Sequence, residues 1–384
     1  MKICLVGLDN LPVLAPEYRW HTVGGESVQQ TLLARALAAR GHEVSMVTAD
    51  YGQPDAAVWD DIRVYKAYRP EAGLPVVRFL HPRWSGLWSA VTRANAQLYY
   101  TSCAGMHVAL LALYCLSHGA RMVFRCASDG DCDPARLLIR YTRDRWLYGY
   151  GLRRAHAVLV QSSAQAASLW RHYGLVGRLA GMLVEPAWPQ GERDIDVLWV
   201  GNIRQVKRPD RVLMLAAQLP EVRIHMVGGP LPGEEALYER VRREAARSPN
   251  LTFHGRLAYR DASAMYSRAR LLVNTSEVEG FPNVYLQSWI HGVPVVSYLD
   301  PDGVIQREGL GAVAESPLRM RDAVLQLLGD GSALAEMSAR CRDFMAQEFA
   351  EERILAPYLA AFEEALRNRV HTPGILPMSV RRHV

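Results

Sequence analysis

The stretches KICLVGL (2–8), GGESVQQTLLARALAARG (24–41) and HEVSMVT (42–48) decide the fold of the first half of the chain. The first and third are short, nearly continuous apolar runs, which are typical of buried strands. Apolar residues recur at helical spacing through the second stretch, and Gly41 supplies a C-terminal stop. Strand, glycine loop, helix and strand make a βαβ unit, which predicts a parallel sheet covered on both faces.

A second α/β alternation occupies the other half of the chain. It predicts strands at 196–201, 222–229, 251–254, 271–274 and 293–297, with helices at 208–218 and 233–247. Between the two alternations, residues 185–194 hold two prolines and a glycine without periodicity, which is typical of a linker. The chain of 384 residues also exceeds a single core, because domains usually hold about 100–200 residues.

We therefore predict an α/β protein with two Rossmann-like domains, whose parallel sheets face each other across a ligand-binding cleft. The predicted segments are an N-terminal domain (1–184), the linker (185–194), a C-terminal domain (195–351), a last helix (352–367) and a disordered tail (368–384).

Composition narrows the class of protein. Hydrophobic residues make up 49% and charged residues 22%, which excludes a disordered chain. The six cysteines form no CxxC pair, which favours buried free thiols in a reducing compartment. No signal-peptide pattern or membrane-spanning apolar run occurs, so we expect a cytoplasmic protein.

The net charge of +5 lies in the N-terminal half, where residues 1–194 hold 21 Lys and Arg against 16 Asp and Glu. A basic half suits an anionic lipid, a nucleic acid or a phosphorylated substrate, and an incidental surface bias fits equally well. Charge alone therefore selects none of these.

The most informative stretch is NTSEVEGFPNVYLQSW, residues 274–289. It leaves a predicted strand, passes through a glycine turn and opens a helix. The free N–H groups and partial positive charge of a helix N-terminus favour an anion there. Glu279, at the lip of this turn, is placed to accept hydrogen bonds from hydroxyl groups, and Gln287 lies two helical turns further on.

This stretch resembles the E-x7-E motif of the retaining glycosyltransferases of family 4, which have the GT-B fold. The resemblance implies that Glu279 faces the donor sugar and that position 287 faces the ribose of the nucleotide. Position 287 holds Gln instead of the second Glu, which keeps an acceptor, adds donors and loses the charge. The residues of the motif that the resemblance assigns to donor binding are Gly280, Phe281, Asn283, Val284 and Gln287.

GNIRQVKRPD (201–210) is similar to the G-R-x4-K stretch of the same family, whose basic pair holds the donor diphosphate. Lys207 stands at the spacing of the family's lysine. Asn202 stands where the family has arginine, and we expect Arg204 to substitute for it. Arginine suits this place because its guanidinium can present two donors to a phosphate at once.

Three glycines also match the family. Gly228, in the turn VGGP (227–230), corresponds to the turn where the nucleotide base lies. Gly24 and Gly25, before the first long helix, correspond to the N-terminal glycine loop, where backbone approaches the donor phosphates and the acceptor. In a GT-B fold, the helix 352–367 crosses back toward the N-terminal domain.

The N-terminal half departs from the family pattern at one position. Many relatives carry a histidine in the turn after the middle strand, whereas CASDGDCDP (126–134) supplies none. Asp129 or Ser128 would face the cleft instead, and we assign Asp129 a catalytic role. A metal is not expected, because Asp129, Asp131 and Asp133 lack the glycine and distal glutamate of a calcium loop.

The predicted function is transfer of a sugar, with retention, from a nucleoside-diphosphate sugar to a glycan or lipid-linked acceptor in surface-polysaccharide biosynthesis. No cofactor is required. Two alternatives stay open: a nucleotide-sugar epimerase of the same fold, and a catalytically inactive subunit that binds the nucleotide sugar.

Residues 76–88 mix aromatic and basic side chains, which predicts peripheral contact with the inner face of the cell membrane. A partly buried loop is the alternative, since Pro82 and Gly86 interrupt any long helix. Nucleic acid is not expected as a partner, because basic residues and stacking aromatics do not share a predicted face.

Overall fold

The computed structural model of the protein describes residues 1–21, 23–74, 77–189 and 191–367, which form two compact units. Unit 1 holds Met1–Tyr18, Gly25–Leu183 and the described residues from Glu352 onward, and unit 2 holds Arg19–Gly24 and Val184–Glu351. The predicted boundaries placed residues 19–24 in the N-terminal domain, whereas the structure groups Arg19–Gly24 with unit 2. The predicted tail, 368–384, lies outside the described residues.

Unit 1 is built on an eight-stranded sheet. Its strands are β1 (Lys2–Val6), β2 (Glu43–Thr48), β3 (Ala57–Trp59), β4 (Ile62–Lys66), β5 (Leu98–Ser102), β6 (Arg121–Arg125), β7 (Ala157–Val160) and β8 (Gly177–Leu179). The order is β3-β4-β2-β1-β5-β6-β7-β8, and all pairs are parallel except β3 with β4. The predicted βαβ unit is confirmed.

The helices of unit 1 pack against the sheet and against one another. They are α1 (Leu11–Leu14), α2 (Gly25–Ala39), α3 (Ser85–Ala94), α4 (Met106–His118), α5 (Thr142–Leu152) and α6 (Ser163–Tyr173). A buried cluster that includes Tyr99, Phe124 and Tyr148 forms the core between the sheet and these helices. It is this apolar core, drawn from strands far apart in sequence, that fixes the register of the sheet.

Unit 2 is built on a second sheet in which every pair is parallel. Its strands are β9 (Ile195–Val200), β10 (Ile224–Val227), β11 (Leu251–Gly255), β12 (Ala269–Asn274), β13 (Val295–Ser297) and β14 (Gly311–Val313). The order is β11-β10-β9-β12-β13-β14. All five strands predicted for this half are confirmed, and β14 is an addition.

Seven helices of the described residues belong to unit 2. They are α7 (Pro209–Gln218), α8 (Glu235–Ala245), α9 (Tyr259–Ala264), α10 (Asn283–Ile290), α11 (Val304–Glu308), α12 (Pro317–Gly329) and α13 (Gly331–Glu348). Val197, Met226 and Leu271 belong to the buried cluster at the centre of this unit.

The last helix, α14 (Glu351–Arg367), returns the chain to unit 1. The rings of Tyr358 and Phe362 lie 6.2 and 6.0 Å from that of Tyr100 on β5, and the Tyr358 hydroxyl donates to the carbonyl of Gly181 at 2.8 Å. The C-terminal end of the described chain is therefore part of the unit 1 core. No helix in the described ranges has the length and apolarity needed to cross a membrane.

Prediction on packing. Gly151 allows α5 to lie against α4, because a Cβ there would stand 2.5 Å from the carbonyl carbon of Val108. Gly151→Ala should therefore destabilise the protein by about 1–3 kcal/mol despite the better helix propensity of alanine, and lower the melting temperature. Thermal denaturation of the purified variant measures this.

The matched control is Gly149→Ala in the same helix. Its Cβ would meet the flexible end of the Arg153 side chain at 3.2 Å and the Tyr173 ring at an ordinary contact distance of 3.9 Å. We expect it to match or exceed the stability of the wild type. Equal melting temperatures for the two variants would contradict the assigned α4–α5 contact.

Candidate functional site

The strand order of unit 2 defines a switch point between β9 and β12. From β9 the chain proceeds through β10 and β11 on one side, and it returns through β12, β13 and β14 on the other. In open parallel sheets, ligands bind outside the carboxyl ends of the strands at such a point. A ligand site is therefore expected at the loops that follow β9 and β12.

Three hydrogen bonds tie these two loops together. The indole N–H of Trp199, on β9, donates to Thr275 Oγ1 at 2.9 Å, and that hydroxyl donates to the carbonyl of Lys207 at 2.7 Å. The amide of Glu277 donates to the carbonyl of Val206 at 2.9 Å. The buried indole of Trp199 thus holds the backbone at Lys207 in place through the Thr275 hydroxyl.

Lys207 and Glu279 meet at this junction. Lys207 Nζ and Glu279 Oε1 form an ion pair, with 26% of the lysine and 15% of the glutamate side chain exposed. Two predicted donor-binding residues that are far apart in sequence therefore lie side by side. Partial burial makes such a pair stronger than an exposed one and leaves both groups accessible to a ligand.

The other basic residues of the β9 loop differ in their contacts. Arg204 is half-buried, and its guanidinium has no hydrogen-bond or ion-pair partner within the described residues, whereas its backbone carbonyl accepts from the amide of Lys207 at 3.0 Å. Asn202 donates to the carbonyl of Val23 at 3.0 Å and so helps to hold residues 19–24 in unit 2. Of the predicted basic pair, Lys207 is engaged and Arg204 is free to meet an anion.

Arg208 was missed by sequence analysis. It occupies a left-handed backbone conformation with φ of 48° at the start of α7. Its guanidinium donates to Asp210 at 2.7 Å and to Glu277 at 2.5 Å. Both loops are therefore clamped together by this arginine, whose charge is already balanced inside the protein.

The N-terminus of α10 is reached through Gly280 and Phe281. The Phe281 ring packs 6.3 Å from Tyr285 and 6.2 Å from Trp289, so this side chain anchors the turn in an aromatic cluster. Val284, one residue into the helix, is half-buried. The first amides of α10 have no intrahelical acceptor, as at every helix start.

Asn283, the first residue of α10, carries a buried Oδ1 atom without a hydrogen-bond partner in the described residues. Buried acceptors are nearly always paired, so an unpaired one next to a predicted ligand site is informative. It leaves one acceptor available to a hydroxyl or N–H group of a ligand.

Gln287 is held by two tyrosines. The hydroxyl of Tyr266 donates to Gln287 Oε1 at 3.1 Å, and Gln287 Nε2 donates to the hydroxyl of Tyr259 at 3.2 Å. Tyr259 also hydrogen-bonds Glu185, and burial together with this carboxylate raises the pKa of its phenol. Both ends of the amide are thus used within unit 2, and this network could not be seen in the sequence.

Gly228 lies where β10 ends, close to the loop after β9. A Cβ at this position would collide with the carbonyl oxygen of Gly201, and the Gly228 amide donates to the carbonyl of Gly255 at 2.9 Å. The glycine is therefore required by the close approach of three strand ends. The predicted turn for the nucleotide base is adjacent to the β9 loop.

In unit 1, Gly25 begins α2 and is followed by a buried ion pair. Arg125, at the end of β6, is fully buried and donates to both carboxylate oxygens of Glu26, at 2.9 and 3.1 Å. This pair fastens the first turn of α2 to the sheet. Gly24, the other predicted glycine, groups with unit 2, so the two glycines stand at the boundary between the units along the chain.

Asp129 and Asp131 follow β6 but have different environments. Gln165 Nε2 donates to Asp129 Oδ1 at 3.1 Å. Asp131 accepts from the amides of Ala127 and Ser128 at 2.7 and 3.2 Å, and burial raises its pKa to about 6 in spite of these bonds. No cluster of three or more His, Cys, Asp or Glu side chains suited to a metal occurs in the described part of the chain.

Unit 1 has its own switch point, between β1 and β5, which sequence analysis did not identify. Asn10 Nδ2 donates to Gln30 Oε1 at 2.9 Å, and Gln30 Nε2 donates to Ser102 Oγ at 2.5 Å. All three side chains are buried. The signal available in the sequence was a pair of polar residues inside apolar segments, since buried polar groups need partners.

Prediction on pH. The pKa of Asp131 is raised from an ordinary 3.8 to about 6, so the folded protein holds this proton more tightly than the unfolded chain. The resulting stability is fully present below pH 3.8 and is lost as the pH rises through 6, by about 3 kcal/mol. Urea unfolding between pH 4 and pH 7 should show this loss in the wild type and not in Asp131→Asn. Parallel pH profiles for the two proteins would contradict the assignment.

Prediction on Gln287. Gln287→Glu restores the motif residue but removes the N–H donor to Tyr259 and adds a charge beside Glu185. We expect a loss of about 1–3 kcal/mol at pH 8, with the deficit shrinking toward pH 5 as the carboxylate gains a proton. Melting temperatures at both pH values measure it. Gln287→Met, the uncharged control, should show a deficit independent of pH, and a Glu variant as stable as wild type at pH 8 would refute the network.

Comparison with known proteins gives matches to both halves of the chain. The model of Glycosyltransferase Family 4 matches residues 23–179, and that of Glycosyl transferases group 1 matches residues 194–330. The D-inositol 3-phosphate glycosyltransferase of Mycobacterium bovis (strain BCG / Pasteur 1173P2) is 31% identical over 144 residues, which cover 36% of this chain and 27% of the relative. The match thus spans little more than a quarter of that relative's length.

Two solved structures share the fold along nearly the whole chain. Sucrose-phosphate synthase of Thermosynechococcus elongatus superposes with a TM-score of 0.75 at 20% identity, covering 95% of this chain and 99% of that one. HepE of Anabaena, in complex with UDP and glucose, superposes with a TM-score of 0.73 at 14% identity, covering 94% and 99%. The chain therefore has the GT-B fold, and its two halves are similar to the glycosyltransferases of family 4 and of group 1 respectively.

Proposed function

We propose that the chain transfers a sugar from a nucleoside-diphosphate sugar to a glycan or lipid-linked acceptor, with retention at the anomeric carbon. The observation that carries this proposal is the Lys207–Glu279 ion pair at the switch point of the unit 2 sheet. Lys207 is a cation that suits a diphosphate, and the N-terminus of α10 nearby also favours an anion. Glu279, beside Lys207, can accept hydrogen bonds from the hydroxyl groups of a sugar.

The diphosphate is bound by positive groups from two loops. Lys207 supplies one cation, and Arg204 supplies a second whose guanidinium has no partner among the described residues. The backbone N–H groups from Gly280 into α10 add donors and the positive end of the helix dipole. These groups also stabilise the charge that develops on the leaving diphosphate during transfer.

The sugar is oriented by carboxylate and amide oxygens. Glu279 accepts hydrogen bonds from sugar hydroxyls once Lys207 has turned toward the phosphates. Asn283 Oδ1, a buried acceptor that lacks a partner in the described residues, is available for a further hydroxyl. The nucleoside lies toward Gly228, where the absence of a side chain lets a ring approach the backbone. Gln287 supports this part of the site by holding Tyr259 and Tyr266.

In the proposed reaction, the bond between the anomeric carbon and the leaving diphosphate oxygen breaks. A bond from the acceptor hydroxyl oxygen forms on the same face of the sugar, and the hydroxyl proton leaves with the diphosphate. Asp129 is the proposed catalytic carboxylate on the acceptor side, where Gln165 orients it. Retention requires little more than such positioning and stabilisation of the leaving group. Surface-polysaccharide assembly is the setting that we propose for this transfer.

HepE of Anabaena was solved with UDP and glucose, which supports a nucleotide-sugar donor for this chain as well. Two other functions stay open, a nucleotide-sugar epimerase and a subunit that binds the nucleotide sugar without turning it over, and the departures at Gln287 and Asp129 bear on the second. A subunit of this kind would bind the nucleotide but never release it from the donor. An epimerase would convert the donor to an isomer in the absence of any acceptor.

Prediction on the donor site. At millimolar concentration, one of UDP, GDP and ADP, or their sugar conjugates, should raise the melting temperature of the wild type, because a ligand at about 100 times its Kd adds about 2.7 kcal/mol. Lys207→Ala should lose most of this shift, since a phosphate contact is removed. Thermal-shift assays measure both.

The control is Lys66→Ala, which removes a lysine that pairs with Asp50 at 3.7 Å in unit 1. It should keep the full nucleotide-induced shift. The donor site is wrong if no nucleotide shifts the melting temperature, or if Lys207→Ala responds as the wild type does. Release of nucleoside diphosphate from the stabilising conjugate, with an acceptor present, then separates the transferase from the binding subunit.

A further inference from the structure

Helix α5 has an unusual distribution of side chains. Its buried face is formed by Tyr148, Leu152 and two glycines, and it packs against α4. Its solvent face carries Trp146 with 67% of its surface exposed and Tyr150 one turn further on. A helix of a globular protein normally places its large apolar residues toward the core. Helix α5 buries Tyr148 and Leu152 in this way but also leaves the large Trp146 ring in solvent, which indicates that this face has a use of its own.

The aromatic residues of this face form a row with arginine. The rings of Trp146 and Tyr150 stack at 5.6 Å with an angle of 25° between them. The guanidinium of Arg154 lies 3.6 Å from the centre of the Tyr150 ring. Since these side chains support one another, the row is an ordered part of the surface.

The row continues into a neighbouring segment. Arg143, on the first turn of α5, lies 3.4 Å from the centre of the Phe79 ring, and the adjacent Leu80 is 65% exposed. In the residues directly before α5, the Arg140 guanidinium lies 5.6 Å from the centre of the Tyr141 ring, and Leu138 is also exposed. Isolated exposed apolar side chains are common, but a contiguous group of them marks an interaction surface.

The charge of this region is strongly positive. Residues 136–154 contain six arginines (136, 140, 143, 145, 153 and 154) and one acidic residue, Asp144. The net charge of the whole chain is only +5, so positive charge is concentrated in α5 and the residues directly before it. Such a surface is complementary to an anionic partner.

We propose that the surface formed by Leu80, Arg140, Arg143, Trp146, Tyr150 and Arg154, hereafter the α5 patch, binds an anionic lipid bilayer. Arginines attract the charged headgroups, while Trp, Tyr and Leu side chains enter the boundary between headgroups and acyl chains. This surface shares Leu80 with the stretch 76–88 that was expected from the sequence, but its other residues lie on α5 or directly beside it.

A nucleic acid fits the same charge but not the same surface. The premise that basic residues and stacking aromatics do not share a face is wrong for α5. The Tyr150 ring, however, already has Trp146 and Arg154 as stacking partners, so it is not a free platform for a base. The exposed Leu80, next to the Phe79 ring that Arg143 contacts, suits acyl chains and has no use in binding a phosphodiester backbone. The bilayer is therefore the partner that the side chains favour.

The test is co-sedimentation of the full chain with phosphatidylcholine vesicles, with and without phosphatidylglycerol. The wild type should pellet with the anionic vesicles only. Arg140→Glu should lower the partition coefficient more than tenfold, because each basic residue near the surface contributes about fivefold and reversal counts twice. Trp146→Ser should lower it by about fivefold through loss of apolar burial.

The matched controls are Arg243→Glu, on an exposed part of α8 in unit 2, and Trp170→Ser, on the exposed face of α6. Both should sediment like the wild type. Three results overturn the proposal: no binding to anionic vesicles by the wild type, equal loss in the controls, or vesicle binding unchanged in both α5 patch variants. Capture of a single-stranded oligonucleotide, or dimerisation that Trp146→Ser abolishes, in a protein that ignores vesicles, would assign the patch to those partners instead.

Discussion

Adjacency of β9 and β12 in the unit 2 sheet is the constraint on which the candidate site depends. The two strands are separated by more than sixty residues of chain that build β10, β11 and their helices. Because the strands are parallel neighbours, their carboxyl ends deliver two loops to one edge. Lys207 and Glu279 can form an ion pair only through this arrangement. The buried Trp199, the Thr275 hydroxyl and the Arg208 clamp then hold the loops in register.

The placement of α10 after β12 also explains why the protein tolerates glutamine at position 287, where the family motif has glutamate. Gln287 lies on α10, behind the lip that presents Glu279, and its amide bridges Tyr259 and Tyr266. Only a side chain with both a donor and an acceptor completes this bridge while Tyr259 keeps Glu185 as a partner. A local network of unit 2 thus requires the glutamine, whatever contact the position also makes with a ligand.

Much of the fold could be predicted, because it rests on local patterns. The strands of unit 2 are short apolar runs, and α2 has clear helical spacing with a glycine stop. The central strand β5 was not foreseen, since Leu98–Ser102 ends in polar residues whose partners, such as Gln30 for Ser102, come from distant segments. Likewise, motif spacing identified Lys207 and Glu279 as candidates, but their contact depends on the order of the strands in the sheet. The exposure of Trp146 could not be predicted either, because it depends on which face of α5 packs against α4. Side-chain partners across the fold are not encoded in the spacing of a single segment.

The Lys207–Glu279 pair also limits how the proposed donor can be bound. Each group is partly buried, so each is stabilised by the other when no ligand is bound. A diphosphate that takes Lys207 away leaves Glu279 without its cation, and a buried charge without a partner is costly. A sugar whose hydroxyls satisfy Glu279 at the same moment removes that cost. For the proposed donor, we therefore expect the intact nucleotide sugar to be favoured over the free nucleotide by more than the contacts of the sugar alone, so that the pair would help to select donor over product.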